Sequence, residues 1–393
     1  MKMLHAKVSF DNTQTAFADK NNRDLRRIYY LFKLMNYPAL LKFGMNLIEN
    51  TIQWRWVQFI IRDTIFKQFV GGETLEECAQ TAQHLRQSNI HTYIAYSVEG
   101  KKMEAEYERT TAETIETINF AQKHDIPFAV FKVTGLAEFA LLEKVQSGAP
   151  LSDAEKAAFE RVRARVDRIC RRGYETKVRV LVDAEETWIQ DVIDALANEM
   201  MEKYNKEAAI IYNTIQMYRK AGLSLLQKSY ERAVEKGYYL GVKQVRGAYL
   251  VKESERAARL GYENPINPTK AATDKMYNDA LRFTLQRLDR IALLAGTHNE
   301  ESCYELMQLT EELNIPTNHP NIFVGQLYGM SDNISYNMAK AGFNAIKYVP
   351  YGSVKDVIPY LFRRAQENSA IAGQGNREYH LVNKEVQRRK NEG

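Results

Sequence analysis

From residue 91 onward the chain repeats one pattern eight times: a short run rich in β-branched and aromatic residues, then a longer amphipathic stretch. The runs are HTYIAYSVE (91–99), PFAVFKV (127–133), KVRVLVDAE (177–185), AAIIYNTIQ (208–216), GVKQVRGAYL (241–250), RIALLAGTHN (290–299), NIFVGQL (321–327) and NAIKYVPYG (344–352). Segments such as SDAEKAAFERVRARVDRICRR between them have helical periodicity. Eight strands, each followed by a helix, is the count of a (β/α)8 barrel of the TIM type. Strands that are apolar on both faces suit parallel strands covered on both sides. A doubly wound open sheet remains the alternative on strand count alone.

Residues 1–90 read as an N-terminal helical segment, with apolar residues at helical spacing and a break near Pro38. The barrel is expected over residues 91–375. Residues 376–393 read as a polar C-terminal tail that frays.

The 393 residues are 45% hydrophobic and 26% charged, enough apolar material for a full core. A net charge of +5 is too diffuse for a nucleic-acid partner, and none is expected. Cys78, Cys170 and Cys303 stand far apart with no CxxC spacing, so neither a disulfide framework nor a zinc site is expected. His298 has no second ligand at metal spacing, and no metal is expected. The first residues resemble neither a secretory signal nor a transit peptide, and no run is long enough to span a bilayer. The expected location is cytoplasmic.

Chemistry in this fold sits at the C-terminal ends of the strands. Polar residues gather there: Glu99, Lys132, Asp183, Gln216, Tyr249, His298 with Asn299, Gln326 and Tyr348 end the eight runs in turn. Lys132 and Asp183, on neighbouring strands, could pair. After the fifth run, Arg246, Gly247 and Ala248 allow close approach of a flat ring or a phosphate to the backbone. Thr269 and Lys270 follow Pro268 at a helix start, where a hydroxyl, an ammonium and free amides suit a phosphate; Thr269 could equally be a plain cap. No GxGxxG or P-loop is present. In PYLFRRAQEN, Tyr360 precedes Arg363 and Arg364 by three and four residues, so all three can share a helix face. Adjacent guanidiniums suit a small carboxylate, although a solvated basic helix end has the same sequence.

These residues, in this order, resemble proline dehydrogenase, of the monofunctional FAD-dependent type. The likeness runs through FKV at Lys132, VDAEE at Asp183, NTIQMY at Gln216, VRGAY (245–249), PTKAATD (268–274), THN (297–299), YVPYG (348–352) and YLFRRAQEN (360–368). The resemblance implies a distorted (β/α)8 barrel with non-covalent FAD and its last helix over the mouth. It implies hydride transfer from C5 of L-proline to flavin N5, giving Δ1-pyrroline-5-carboxylate, with electrons passed to a membrane quinone. Carried over by position, Arg363 and Arg364 hold the substrate carboxylate with Lys132 nearby, and Tyr249, Tyr348 and Tyr360 wall the ring. Asp183 organises Lys132 and the flavin edge, and Lys243 lies near N5. Gln216, Arg246, Gly247, Ala248, Thr269, Lys270, Thr297, His298, Asn299 and Glu367 contact or position FAD. Further implications are a functional link to pyrroline-5-carboxylate dehydrogenase and peripheral contact with the inner face of the membrane. Region 26–62 and the basic QRRK of the tail are the candidate contacts. Many bacterial relatives carry arginine where Lys243 stands and lysine where Arg246 stands, so the two cation types are exchanged here. The nearest rival is a relative acting on 4-hydroxyproline, which the bulk of Tyr348 disfavours. A non-catalytic flavin-binding barrel is the rival from another class.

Overall fold

The structure, a computed structural model, describes residues 8–96, 103–368 and 374–392. Eight parallel strands close into a barrel in chain order. They are β1 (His91–Tyr96), β2 (Phe128–Phe131), β3 (Arg179–Val182), β4 (Ile211–Gln216), β5 (Leu240–Val245), β6 (Ile291–Gly296), β7 (Ile322–Leu327) and β8 (Ala345–Tyr351). β8 returns to β1, with His91 opposite Ile346 and Tyr96 opposite Tyr351. Closure removes the open-sheet alternative. Glu99 lies outside the described residues.

Strand alternation sorts the side chains into two cores. Phe128, Leu181, Tyr212, Leu294, Phe323 and Ile346 fill the barrel interior. Ile94, Ala129, Val180, Ile211, Val242 and Leu293 face the surrounding helices. The helix Asp153–Thr176 shows how these helices form. Ser152 and Glu155 cap its first turn reciprocally, and Val162, Val166 and Ile169 bury one stripe at helical spacing.

A third core positions the mouth. The helices Asn22–Met35 and Arg55–Ile61 of the N-terminal segment pack Leu25, Phe32, Val57 and Ile61 with Leu361 and Phe362 of the helix Ile358–Glu367. The helix bearing the two arginines is therefore held largely from outside the barrel. Pro38 starts a new helix, Pro38–Thr51, after a break at Asn36 and Tyr37.

The tail is not frayed. Gln374–Glu392 is a helix whose Leu381 and Val382 join the same core. The buried stripe includes two acids, Glu378 and Glu385, which is why its amphipathic pattern is hard to read from sequence. Within QRRK, Arg389 turns inward to Glu385 and to the carbonyls of Phe17 and Lys20, and Arg388 also pairs with Glu385. That segment is not a free basic patch. No helix among the described residues is long and apolar enough to cross a membrane.

Candidate active site

The charged centre of the mouth is an ion pair between strands. Lys243, in β5, places Nζ 2.6 Å from Oδ1 of Asp183, the residue after β3. Both are largely buried, with side chains 9% and 18% exposed, so the pair is poorly screened. The Lys243 ammonium also lies 5.5 Å from the ring centroid of Tyr93 in β1. Tyr93 packs on Tyr348 of β8 with centroids 5.2 Å apart, and Tyr348 faces Tyr360 at 6.1 Å. The guanidinium of Arg364 sits 5.0 Å from the Tyr360 centroid, one helical turn along. A continuous aromatic wall thus joins the ion pair to the arginine helix. Tyr93 escaped the sequence reading because it lies inside a strand that looks like ordinary core.

Arg364 is buried, and its Nη2 donates to Glu367 at 2.6 Å. Its Nε and the Tyr360 hydroxyl are both buried without a protein partner. Orphaned donors of this kind are costly unless a ligand meets them. Arg363, on the same helix, is half-buried. Burial is the main cause that raises the Glu367 carboxyl above its ordinary range, with Arg364 and Arg363 opposing it.

Lys132 follows β2 and reaches the Tyr249 hydroxyl at 3.5 Å. Asp183, the acid expected to organise Lys132, is bound to Lys243, two strands further on. Glu185, two residues on, was not singled out in the sequence. It is buried and receives hydrogen bonds from the backbone N–H (3.0 Å) and hydroxyl of Thr134, in the turn that follows Lys132. Burial pushes its carboxyl up to about 7, with Lys132 opposing the shift.

The second group centres on Arg246. Its Nε donates to Asp274 at 2.6 Å, Nη1 to Thr297 and Nη2 to Ser302 at 2.8 Å each, with the Tyr277 ring 4.4 Å below. Three acceptors, one on each guanidinium nitrogen, use the fork that lysine lacks. Lys243 needs only a single ion pair. The exchange of cation types between these two positions thus fits the geometry at both.

Thr269 caps the helix Lys270–Leu285 by accepting from Ala272 N–H, and Lys270 pairs with Asp274 at 2.5 Å. Asn299 caps the next helix, Glu300–Glu312, through Ser302 N–H. Gly247 has φ +127°, and a Cβ there would stand 2.5 Å from the Tyr218 ring, so only glycine fits. Ala248 follows it in the same loop. Gln216 ends β4, donates to the Glu185 carbonyl, and leaves its Oε1 buried and unpartnered.

His298 is buried against Ser331, with Nδ1 to Oγ 2.9 Å. Burial first, then Lys347, Arg364 and Arg246, lower its pKa to about 3, so the ring is neutral. Glu378 of the C-terminal helix accepts from Ser331 N–H at 2.6 Å, a link no sequence signal announces. Among the described residues no cluster of acids, histidines or cysteines could hold a metal. A separate cavity of about 360 Å³ opens between the helices Thr187–Tyr204 and Gly222–Lys236; it reaches the expected site residues only at Gln216.

A closed parallel barrel with its ionic side chains gathered at one mouth is the architecture of an enzyme. The chain belongs to the proline dehydrogenase family, whose profile matches residues 78–377. It is 38% identical to the carbapenem antibiotics biosynthesis protein CarD of Pectobacterium carotovorum subsp. carotovorum, over 82% of this chain and 83% of that protein. It is 35% identical to the mitochondrial proline dehydrogenase 1 of Dictyostelium discoideum, over 88% of this chain and 68% of that one. Its fold matches proline utilization A from Bdellovibrio bacteriovorus, in a crystal structure inactivated by N-propargylglycine. The TM-score is 0.71 at 20% identity, over 90% of this chain and 38% of that larger protein.

Proposed function

We propose that this enzyme oxidises L-proline to Δ1-pyrroline-5-carboxylate at the β-barrel mouth, with FAD held non-covalently and electrons passed to a membrane quinone. The observation that carries the reading is the buried Arg364 Nε and Tyr360 hydroxyl, both unpartnered, on the helix that the Tyr348 and Tyr93 rings link to the Lys243–Asp183 pair. They suit the carboxylate and ring of a small amino acid.

The residues present also fit a flavin. Gln216 offers an unpartnered buried oxygen, and Gly247 leaves its backbone open to close approach. Thr269, Lys270, Thr297, His298 and Asn299 ring the ends of β5 and β6, where a diphosphate would lie against helix N-termini. Arg246, pinned by three side chains, would act as a fixed positive field there. Bound FAD would supply the hydride acceptor.

The protein's own part is orientation and electrostatics. Arg363, Arg364 and Lys132 would hold the carboxylate, so that Tyr249, Tyr348 and Tyr360 clamp the ring. Hydride loss from C5 needs a free nitrogen lone pair, so the substrate must react as the neutral amine. Nearby cations favour that form by lowering the pKa of the ammonium. Asp183 would hold the Lys243 side chain fixed near the reacting edge. The site needs no further protein base. Tyr348, packed between Tyr93 and Tyr360, supports the unsubstituted ring over 4-hydroxyproline. A quinone acceptor places the enzyme at the membrane surface, and its product is the substrate of a pyrroline-5-carboxylate dehydrogenase.

The decisive measurement is an absorbance spectrum. The purified protein is expected to be yellow, to release FAD and not FMN on denaturation, and to bleach with L-proline in the absence of oxygen. A colourless protein that takes up no FAD on reconstitution would end this reading.

A further inference from the structure

A serine just before a helix ordinarily turns its hydroxyl onto the first amides of that helix. Ser331 precedes the helix Asp332–Lys340 and does not cap it. Its backbone stands in the left-handed region, at φ +50° and ψ +44°, where a residue with a side chain is strained. Its hydroxyl lies 2.9 Å from His298 Nδ1, and its N–H donates to Glu378 at 2.6 Å. A cap is forgone and strain is accepted, and the return is one contact with the loop after β6. Strain of this kind persists only where the surroundings over-determine it, and it gathers at functional sites.

The loop from Leu327 to Asp332 is gripped from three sides. Gln68 of the N-terminal segment donates to the Gly329 carbonyl at 2.8 Å, and Gly329, at φ +75°, leaves no room for a Cβ against the Gln68 backbone. Lys347 of β8, wholly buried, donates to the Met330 carbonyl at 2.5 Å and pairs with Asp332 at 2.8 Å. The third grip is the C-terminal helix Gln374–Glu392. Its Arg377 binds Glu300, two residues after His298, at 2.9 and 3.0 Å. The next residue, Glu378, is 5% exposed and holds Ser331. Consecutive side chains of one helix therefore reach the segments that follow β6 and β7. His298 belongs to the first segment and is bonded to the second.

The same contacts fix which ring nitrogen carries the proton. The Leu327 N–H donates to His298 Nε2 at 3.5 Å, so Nε2 is the acceptor. A neutral imidazole then holds its proton on Nδ1 and donates it to Ser331 Oγ. That hydroxyl in turn faces Glu378 Oε1 at 3.4 Å. Both nitrogens are engaged inside the protein, while the residue stays partly exposed at the mouth. What His298 offers a bound group is an uncharged ring in one orientation, and no hydrogen-bond donor.

We propose that Glu378 and Ser331 are positioning residues of the cofactor site: they lock His298 as a neutral ring protonated on Nδ1, which presents FAD with a rigid wall. The role rests on the proposed function for the identity of the bound group. It gives the C-terminal helix, which lies outside the barrel, a direct hold on the mouth.

The test uses the full chain with histidine labelled at its ring nitrogens, observed by NMR, and titration of flavin-free protein with FAD. The His298 signals are identified by their loss in His298→Gln. In the wild type they are expected to show the Nδ1–H form alone and to stay neutral down to about pH 5. Glu378→Leu and Ser331→Gly are expected to give mixed ring forms and a dissociation constant for FAD raised about tenfold, as when a partner that orients a ligating histidine is lost. Glu378→Gln keeps an acceptor for the Ser331 N–H and should bind FAD as the wild type does. Ser331→Gly separates positioning from stability: glycine relieves the left-handed strain and keeps the N–H, so its melting midpoint should stay near that of the wild type while its FAD affinity falls. A ring form and an affinity that survive in both Ser331→Gly and Glu378→Leu overturn the proposal. So does a His298 that titrates near neutrality, or a loss of FAD in Ser331→Gly that only follows a fall in its melting midpoint. FAD-loaded wild type that proline never bleaches refutes the proposed reaction and leaves the positioning standing. Normal bleaching in the wild type, with ring form and affinity unaltered in those two variants, does the reverse.

Discussion

Asp183→Asn, Lys243→Met and the double variant form a cycle that measures the charged centre of the mouth. The two groups are 2.6 Å apart and largely buried. At an effective dielectric of about 20, their attraction is roughly 6 kcal/mol before desolvation is counted. Removing one partner leaves a buried charge unmatched, which destabilises by about 3–5 kcal/mol. Removing both leaves an uncharged pair, and the loss should shrink to about 1–2 kcal/mol, so the coupling energy should be at least about 4 kcal/mol. For a chain of this size each kcal/mol moves the melting midpoint by about 2 °C, so each single variant should melt about 6–10 °C lower. The assay is calorimetric or denaturant unfolding of the cofactor-free protein, which separates the pair from any contribution of bound flavin. Stopped-flow bleaching by L-proline in the same variants then reads function. Asp183→Asn is expected to slow reduction by more than it weakens FAD retention. Additive single losses, or losses below about 1 kcal/mol each, would show a solvated pair. The reading of a dry mouth would then be wrong.

Arg364→Met should raise the KM for proline by roughly 30-fold or more, the equivalent of about 2–5 kcal/mol, with flavin content near wild type; loss of flavin with normal kinetics would make the helix a cofactor element. Tyr348→Ser should weaken proline use and improve the ratio of trans-4-hydroxy-L-proline to proline, and an equal fall for both substrates would remove this tyrosine from ring selection. Tyr93→Leu should lower the rate of flavin reduction and the melting midpoint, since about 1–3 kcal/mol of ring and cation contact is lost, whereas Tyr93→Phe should restore both; failure of phenylalanine to rescue would assign the role to the hydroxyl. The Glu378 carboxyl is raised to about 7 by burial, from an ordinary value near 4.5. A raised acid contributes stability that is present below its unfolded pKa and lost as pH rises through its folded one, here worth about 3 kcal/mol. Glu378→Gln should therefore gain on the wild type between about pH 5 and pH 8 in melting experiments; a gap that stays constant with pH would place the carboxyl in water.

The barrel was legible because parallel strands buried on both faces are short runs dominated by apolar and β-branched residues, and eight such runs alternate with helical segments. The mouth was legible where a polar residue ends such a run, as Asp183, Gln216 and His298 do. Partnerships were not, because they depend on which side chains reach one another inside the closed barrel. Asp183 pairs with Lys243, two strands away, and nothing in the local sequence distinguishes that lysine from Lys132. Tyr93 was hidden by its resemblance to core. The C-terminal helix was misjudged because its buried face carries Glu378 and Glu385, whose partners Ser331, Arg388 and Arg389 lie elsewhere in the fold or along the same helix. Acids satisfied by tertiary contact read as surface in a sequence.

The neutral ring of His298 settles which groups can leave a mark on a pH–rate curve. Buried among Lys347, Arg364 and Arg246, with its pKa near 3, it carries no charge at any pH at which the enzyme would be assayed. An inflection near neutrality therefore cannot be the usual histidine signature. Two buried carboxyls are raised to about 7, Glu185 beside Lys132 and Glu378 beside Ser331, and an inflection from either should vanish in the glutamine variant of its source. An inflection that persists in both variants and shifts when the substrate is exchanged for an analogue of different amine basicity belongs to the substrate. The silence of one histidine thus turns an ordinary pH profile into an assignment.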